Sequence, residues 1–330
     1  MSALAPTLQA FFTERLIGQR RASPHTVAAY RDTFRLLLAF AQGRSGTAPS
    51  ALRLEDIDAL LVGSFLDHLE VERGNSARTR NARLAAIHSL FRFAALRHPE
   101  NAALIERVLA IPPKRFERAL VSFLSDEEVD ALLAAPDRAT AIGRRDRALL
   151  LLLVQAGHRV SELVGLQRGD VELGSGPHVR CMGKGRKERI MPLTKTTAAV
   201  LRAWMEESGG RPEDPLFPSS HSTKALSRHG VTLLLAKHVE AAGGDCPSLR
   251  SKRVSPHVLR HTCAMRLLHA GVDISVIALW LGHEALETTQ IYVHADLALK
   301  EKALARTTPI GVAPGRYRPP DDLLAFLEAL

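Results

Sequence analysis

The chain has 330 residues, 46% of them apolar and 24% charged, which is enough length for two domains with buried cores. Its 44 Lys and Arg exceed its 35 Asp and Glu by nine, and such an excess favours a polyanionic partner, most simply nucleic acid. Three cysteines without ligand spacing, no apolar leader at the start and no apolar run longer than ALLLLLV at 148–154 argue against a disulfide framework, a zinc cluster, export and a membrane span, so a soluble cytoplasmic protein is expected.

In chain order, SPHTVAAYRDTFRLLLAFA (23–41) reads as a helix with Ser23 as N-cap and Pro24 in the first turn. DIDALLVGSFLDHLE (56–70) and SARTRNARLAAIHSLFRFAAL (76–96) carry the same helical spacing of apolar residues. The basic excess concentrates here, since residues 73–118 hold 10 basic and 3 acidic side chains. Arg78, Arg80 and Arg83 open the third helix, where they form either a solvated face or, as a cluster, a DNA-backbone contact. A Pro-Pro break and a basic stretch mark a connector at 112–122 between an N-terminal helical domain (1–111) and a second domain (123–310). The second domain begins with a capping box, Ser125 and Glu128, and a staple, Leu124 with Val129. It continues with RRDRALLLLLVQAG as a helix, then HVRCM and RIMPL as a hairpin around the turn GKGRKE, then alternating helices and turns. The expected fold is mainly α with one small β element. The final 20 residues (311–330) form a tail whose PPDDLLAFLEAL segment predicts a short amphipathic helix.

Four polar clusters interrupt the second domain, and each has an ordinary reading when taken alone. Arg159 and Glu162, three apart in QAGHRVSELVGL, can be a surface ion pair, and a lysine in MGKGRKERI can be a solvated hairpin tip. In SPHVLRHTCAMRLL, Ser255 and Pro256 start a helix that puts His257 in its first turn and Arg260 one turn later. The i,i+4 pair His257 and His261 has the spacing of zinc ligands on a helix, but no third ligand accompanies it and no metal is expected. In LGHEALETTQIYVHAD, Tyr292 is one of only three tyrosines, and can be core packing, a stacking platform or a nucleophile.

Together and in this order, AGHRVSELVGL, GKGRKERIMPL, HVLRHTCA and LGHEALETTQIYVH resemble the tyrosine site-specific recombinases, the phage integrase family with its Xer-type members. The resemblance implies a two-domain DNA clamp with a SAM-like N-terminal domain and a recombinase catalytic domain. It also implies a 3′-phosphotyrosyl intermediate formed by Tyr292 as nucleophile. It assigns Arg159 and Arg260 to the phosphate, Lys184 as general acid with Lys187 as the fallback and a DNA contact, and His257 as general base. His283 would bond a non-bridging oxygen, and Glu162 would orient its neighbours. One departure is Gly157-His158-Arg159, where the family usually has leucine or methionine in the middle. The implied partners are duplex DNA with inverted-repeat core sites and three further copies of this chain, or of a related recombinase, in a tetramer linked by the C-terminal helix. The implied location is the nucleoid, and neither metal nor other cofactor is required. A non-catalytic repressor or architectural protein, a type IB topoisomerase-like enzyme and a metal-dependent nuclease are the competing readings.

Overall fold

The structure is a computed structural model that describes residues 3–116, 121–183, 188–219, 223–283 and 287–295. The chain divides into two compact units, residues 1–119 and 120–330.

In the first unit, helix α1 (Leu4–Ala10) continues as a π-helical run over Phe11–Gln19. Helix α2 (Pro24–Ser45) starts where the sequence places it, because the Ser23 hydroxyl accepts the Thr26 N–H at 3.2 Å and Pro24 gives up no helical bond there. It stops at Gly46, whose φ of 71° favours glycine. Helix α3 (Ala59–Val71) starts later than the apolar spacing suggests: the Asp58 carboxylate accepts the Leu61 N–H at 2.7 Å, and residues 54–56 form a separate 3-10 turn. Helices α4 (Ala77–Ala95) and α5 (Ala102–Leu109) complete the unit. Phe11 sits at the centre of its core, with the rings of Phe34 and Phe93 at 6.0 and 5.7 Å and Tyr30 stacked at 6.2 Å. Tyr30 is therefore a packing residue.

The second unit opens with α6 (Asp126–Ala134), where the capping box forms in both directions: Ser125 accepts the Glu128 N–H and Glu128 accepts the Ser125 N–H at 2.8 Å. Leu124 and Val129 are both buried beside it. Helix α7 (Ala141–Ala156) carries leucines at 149, 150, 152 and 153, all fully buried. The apolar stretch 148–154 in the second half of α7 sits in the middle of the fold, and α7 packs against α6, α9 (Lys195–Ser208) and α11 (Pro256–His269). The short helix α8 (Val160–Val164) follows. The expected hairpin is the antiparallel pair β2 (His178–Met182) and β3 (Glu188–Pro192), in register Val179 with Met191 and Cys181 with Arg189. A third strand, β1 (Val171–Glu172), pairs with β2; at two residues it is too short to show an alternating pattern. Helices α10 (Arg228–Ala242), α12 (Ile274–Leu281) and α13 (Glu287–Ala295) fill out a mostly helical unit. The tail at 311–330, with its expected helix, lies outside the described residues. No described helix is long and apolar enough to cross a membrane.

Candidate active site

The site is organised by the C-terminus of α12. A helix leaves its last carbonyls without intrahelical partners and carries partial negative charge at that end. Three successive carbonyls here each accept a bond from a different guanidinium: Trp280 from Arg189 at 2.9 Å, Leu281 from Arg260, and Gly282 from Arg159 at 3.1 Å. Gly282 ends α12 in the left-handed region, φ 62°, and a Cβ there would lie 2.6 Å from the Arg189 Cδ. The His283 N–H bonds back to the Ala278 carbonyl at 2.9 Å and the Gly282 N–H to that of Leu279 at 3.1 Å, so the chain turns sharply and His283 emerges next to the arginines.

Arg260 is 1% exposed, and its second anchor is the carbonyl of Gly157 at 2.6 Å, the left-handed cap of α7. Burial, helped by Arg159, lowers its pKa to about 10, which still leaves it charged at neutral pH. Arg159 is the N-cap of α8; its N–H and its guanidinium both reach Glu162, at 2.8 Å each. Glu162 also takes Arg189 at 2.6 Å. Burial alone would raise the Glu162 pKa, but the Arg159 bonds and the two guanidinium charges hold it below the usual carboxylate value. Arg189 enters because β3 is pleated, so residues 189 and 191 point to the same, inner face, with Met191 buried and Arg189 directly across from buried Cys181. Arg189 is not among the residues expected from the sequence, although the alternation in ERIMPL carries the signal.

Tyr292 lies on α13 and is 2% exposed. Burial pushes its phenol up to about 12, opposed by the charges of Arg260 and Arg159. Its hydroxyl is 3.0 Å from Nδ1 of His261, and the two rings meet edge-on at 5.4 Å. His257, on the exposed lip of α11, packs edge-on against His261 at 4.3 Å. The structure thus puts His261 beside the hydroxyl, with His257, the expected base, as the next ring outward. His283 stacks on Tyr292 at 6.4 Å, and its Nδ1 is 2.7 Å from the hydroxyl of Thr289, itself fully buried. That bond gives a threonine in the first turn of α13 its place. Burial, with Arg260 adding to it, holds His283 at about 4 and lowers His257 as well, so both are neutral at physiological pH.

His158 is fully buried beneath this layer, and neither ring nitrogen has a hydrogen-bond partner among the described residues. Burial drives its pKa to about 3, so the ring is neutral. One of its nitrogens, a Glu162 carboxylate oxygen and the Cys181 thiol lie within 4.8 Å of one another. A cation there would have to displace the two guanidiniums that already occupy both Glu162 oxygens. An unpaired buried polar group typically costs about 1–3 kcal/mol. His158→Leu, which removes the orphaned nitrogens and restores the common residue type, is therefore expected to raise the melting temperature of the DNA-free protein. A lower melting temperature in a calorimetric scan would mean that the ring has a partner.

The three N-terminal arginines do not form one surface row. Arg80 is 6% exposed, paired with Glu70 at 3.3 Å and bonded to the Pro112 carbonyl at 3.4 Å. Beside it Asn81 makes two bonds to the Lys114 backbone, and Lys114 reaches Glu70 at 2.6 Å, so Arg80 helps clamp residues 112–114 to α4. Arg83 is half-buried and donates to the Thr33 hydroxyl at 3.0 Å. Only Arg78 is exposed, lying over the Phe116 ring at 5.5 Å. Helix α4 turns Arg80 toward α3. Lys184 and Lys187, which the sequence places between the two hairpin strands, lie outside the described residues.

Comparison with known proteins fits this architecture. The phage integrase family model matches residues 122–298, and that family's N-terminal SAM-like domain matches residues 10–98. A Sinorhizobium fredii protein named as an integrase/recombinase is 57% identical over 329 residues, covering 100% of this chain and 99% of its own. Tyrosine recombinase XerD of Pseudomonas putida is 35% identical over 318 residues, covering 94% of this chain and 100% of its own. The fold matches that of the XerH site-specific recombinase, solved bound to a palindromic substrate after cleavage, at a TM-score of 0.67 and 24% identity over 87% of this chain and 81% of that one. The chain belongs to the phage integrase family, the tyrosine recombinases, which are DNA strand-transferring enzymes.

Proposed function

We propose that the chain cleaves and rejoins DNA at specific sites through a 3′-phosphotyrosyl link on Tyr292 and exchanges strands between two such sites. The observation that supports this reading most is a tyrosine hydroxyl held against a neutral imidazole and within the field of two anchored arginines. Guanidinium forks match the oxygens of a phosphodiester and keep their charge, so Arg159 and Arg260 would stabilise the negative charge that develops in the transition state. Each such preorganised donor is worth about 10²–10³ in rate. His283, neutral and set by Thr289, would donate from its other ring nitrogen to a non-bridging oxygen. The ester energy is kept in the phosphotyrosyl bond, so rejoining requires no nucleotide. Arg78, Arg83 and Lys187 would contact the DNA backbone, the N-terminal and C-terminal units would each bind the duplex, and residues 311–330 would link four protomers on two inverted-repeat sites. Integration, excision, transposition and resolution all use this same chemistry.

The test begins with a binding site selected by the protein from random duplexes, rebuilt with a nick so that cleavage traps the enzyme. A covalent adduct in EDTA, followed by strand exchange between two intact sites, is the expected result. Binding without adduct would make the chain a non-catalytic DNA-binding protein, and relaxation without exchange would make it a nicking-closing enzyme. Lys184 is testable in the same format. As general acid for the departing 5′-oxygen, its alanine variant is expected to be slow on normal DNA and largely restored when that bridging oxygen is sulfur, whose thiolate leaves unprotonated. Equal defects on both substrates would assign Lys184 to binding.

A further inference from the structure

We infer that His261, one helical turn beyond His257, is the group that accepts the Tyr292 proton during strand cleavage, an assignment that rests on Tyr292 being the nucleophile. Three observations converge on it. The Nδ1 to hydroxyl distance, 3.0 Å, is within direct proton-transfer range. Among the described residues, His261 is the one hydrogen-bonding partner of that hydroxyl. Its place on α11 is fixed by neighbours that are themselves anchored: Arg260 is held by two carbonyls, and Thr262 is fully buried, its hydroxyl donating to the Val258 carbonyl and accepting the Leu124 N–H.

The imidazole is available as an acceptor. Burial, then the neighbouring His257 and the charge of Arg260, holds His261 at about 4, so it is neutral at physiological pH. With the proton on Nε2, the Nδ1 lone pair faces the phenol. Set against a phenol near 12, this acceptor is too weak to ionise the tyrosine at rest. The transfer therefore accompanies attack: the O–H bond of Tyr292 breaks as its oxygen bonds phosphorus, the proton goes to Nδ1, and the 5′-oxygen departs with a proton from a separate acid. Rejoining runs the same step backward, with the His261 imidazolium returning the proton to Tyr292. His257, in edge contact on the exposed side, is left free to meet the phosphate.

Two substitutions separate base from spacer. His261→Asn puts an amide near the position of Nδ1 and can hydrogen-bond the phenol, but it cannot take up a proton; His261→Ala removes both functions. Single-turnover adduct formation on the nicked substrate, at saturating protein, is expected to fall about 10²–10⁴-fold in both variants. Binding of the uncleaved site should be unchanged, and added imidazole should restore His261→Ala in proportion to its unprotonated fraction. Near wild-type cleavage by His261→Asn would reduce His261 to a positioning residue. Faster cleavage by His261→Ala would make the contact a restraint on Tyr292, and a defect that imidazole leaves untouched would be structural; each of these overturns the assignment. Failure of the underlying reading has a different signature, because Tyr292→Phe would then still form the adduct.

Discussion

Tyr292→Phe is expected to abolish adduct formation, with a loss beyond the detection of a suicide-substrate assay, while specific DNA binding stays within about twofold. The substitution removes only the oxygen. The ring keeps its place among Cys263, Met265, Ile277 and Leu281, and its stacking on His283 survives. The hydroxyl is buried against one imidazole, so its loss leaves a single neutral nitrogen without a partner and costs the fold on the order of 1 kcal/mol. None of the arginines proposed to hold phosphate charge is anchored by it. Binding and cleavage should therefore separate cleanly. An adduct formed by the phenylalanine variant would move the nucleophile elsewhere, although Tyr30 is already committed to the core of the other unit.

How far the site could be read from sequence depended on whether a residue acts within its own segment. The Ser125–Glu128 box, the Ser23 and Ser255 caps and the β2–β3 hairpin involve neighbours a few residues apart, and all were legible. So was the likeness of four separate motifs to one family. Three features were not: Arg189 donating to Trp280, His261 facing Tyr292, and Arg80 turned inward to Glu70. These contacts span 91, 31 and 10 positions. They depend on which face an element turns to the core, and a motif identifies the element without fixing that face. For Arg189 the period of two along β3 held that information, and for His261 the i,i+4 relation to His257 placed it on the same side of α11. For Arg80 nothing local distinguished it from Arg78, because a charged residue two positions along a helix is turned inward only by the packing of α3 and the connector.

Glu162→Ala is expected to cost the largest stability of any single change in the site, about 3–5 kcal/mol, and to slow cleavage by about 10²–10³. Its side chain is 4% exposed and its partner Arg189 is 9% exposed, so removing the carboxylate leaves a buried guanidinium with the Trp280 carbonyl and the Cys181 thiol as its remaining contacts. The α8 N-terminus also loses its cap, and Arg159 loses the tether that aims it. Two comparisons identify the cause. Because the pKa of Glu162 is held below its ordinary 4.5, its ionised form stabilises the fold fully above that value, and the contribution disappears as pH falls through the folded-state value. The advantage of the wild type over the isosteric Glu162→Gln should therefore be widest at neutral pH and narrow below about pH 4.5 in urea titrations of the full chain. Replacing both partners, Glu162→Met with Arg189→Met, removes the unpaired charge and should recover most of the stability lost by Glu162→Ala. Cleavage should stay slow in that double variant, because Arg159 remains untethered. Recovery of both would mean that Glu162 serves only the fold, and an advantage over glutamine that did not change with pH would mean that its charge contributes nothing.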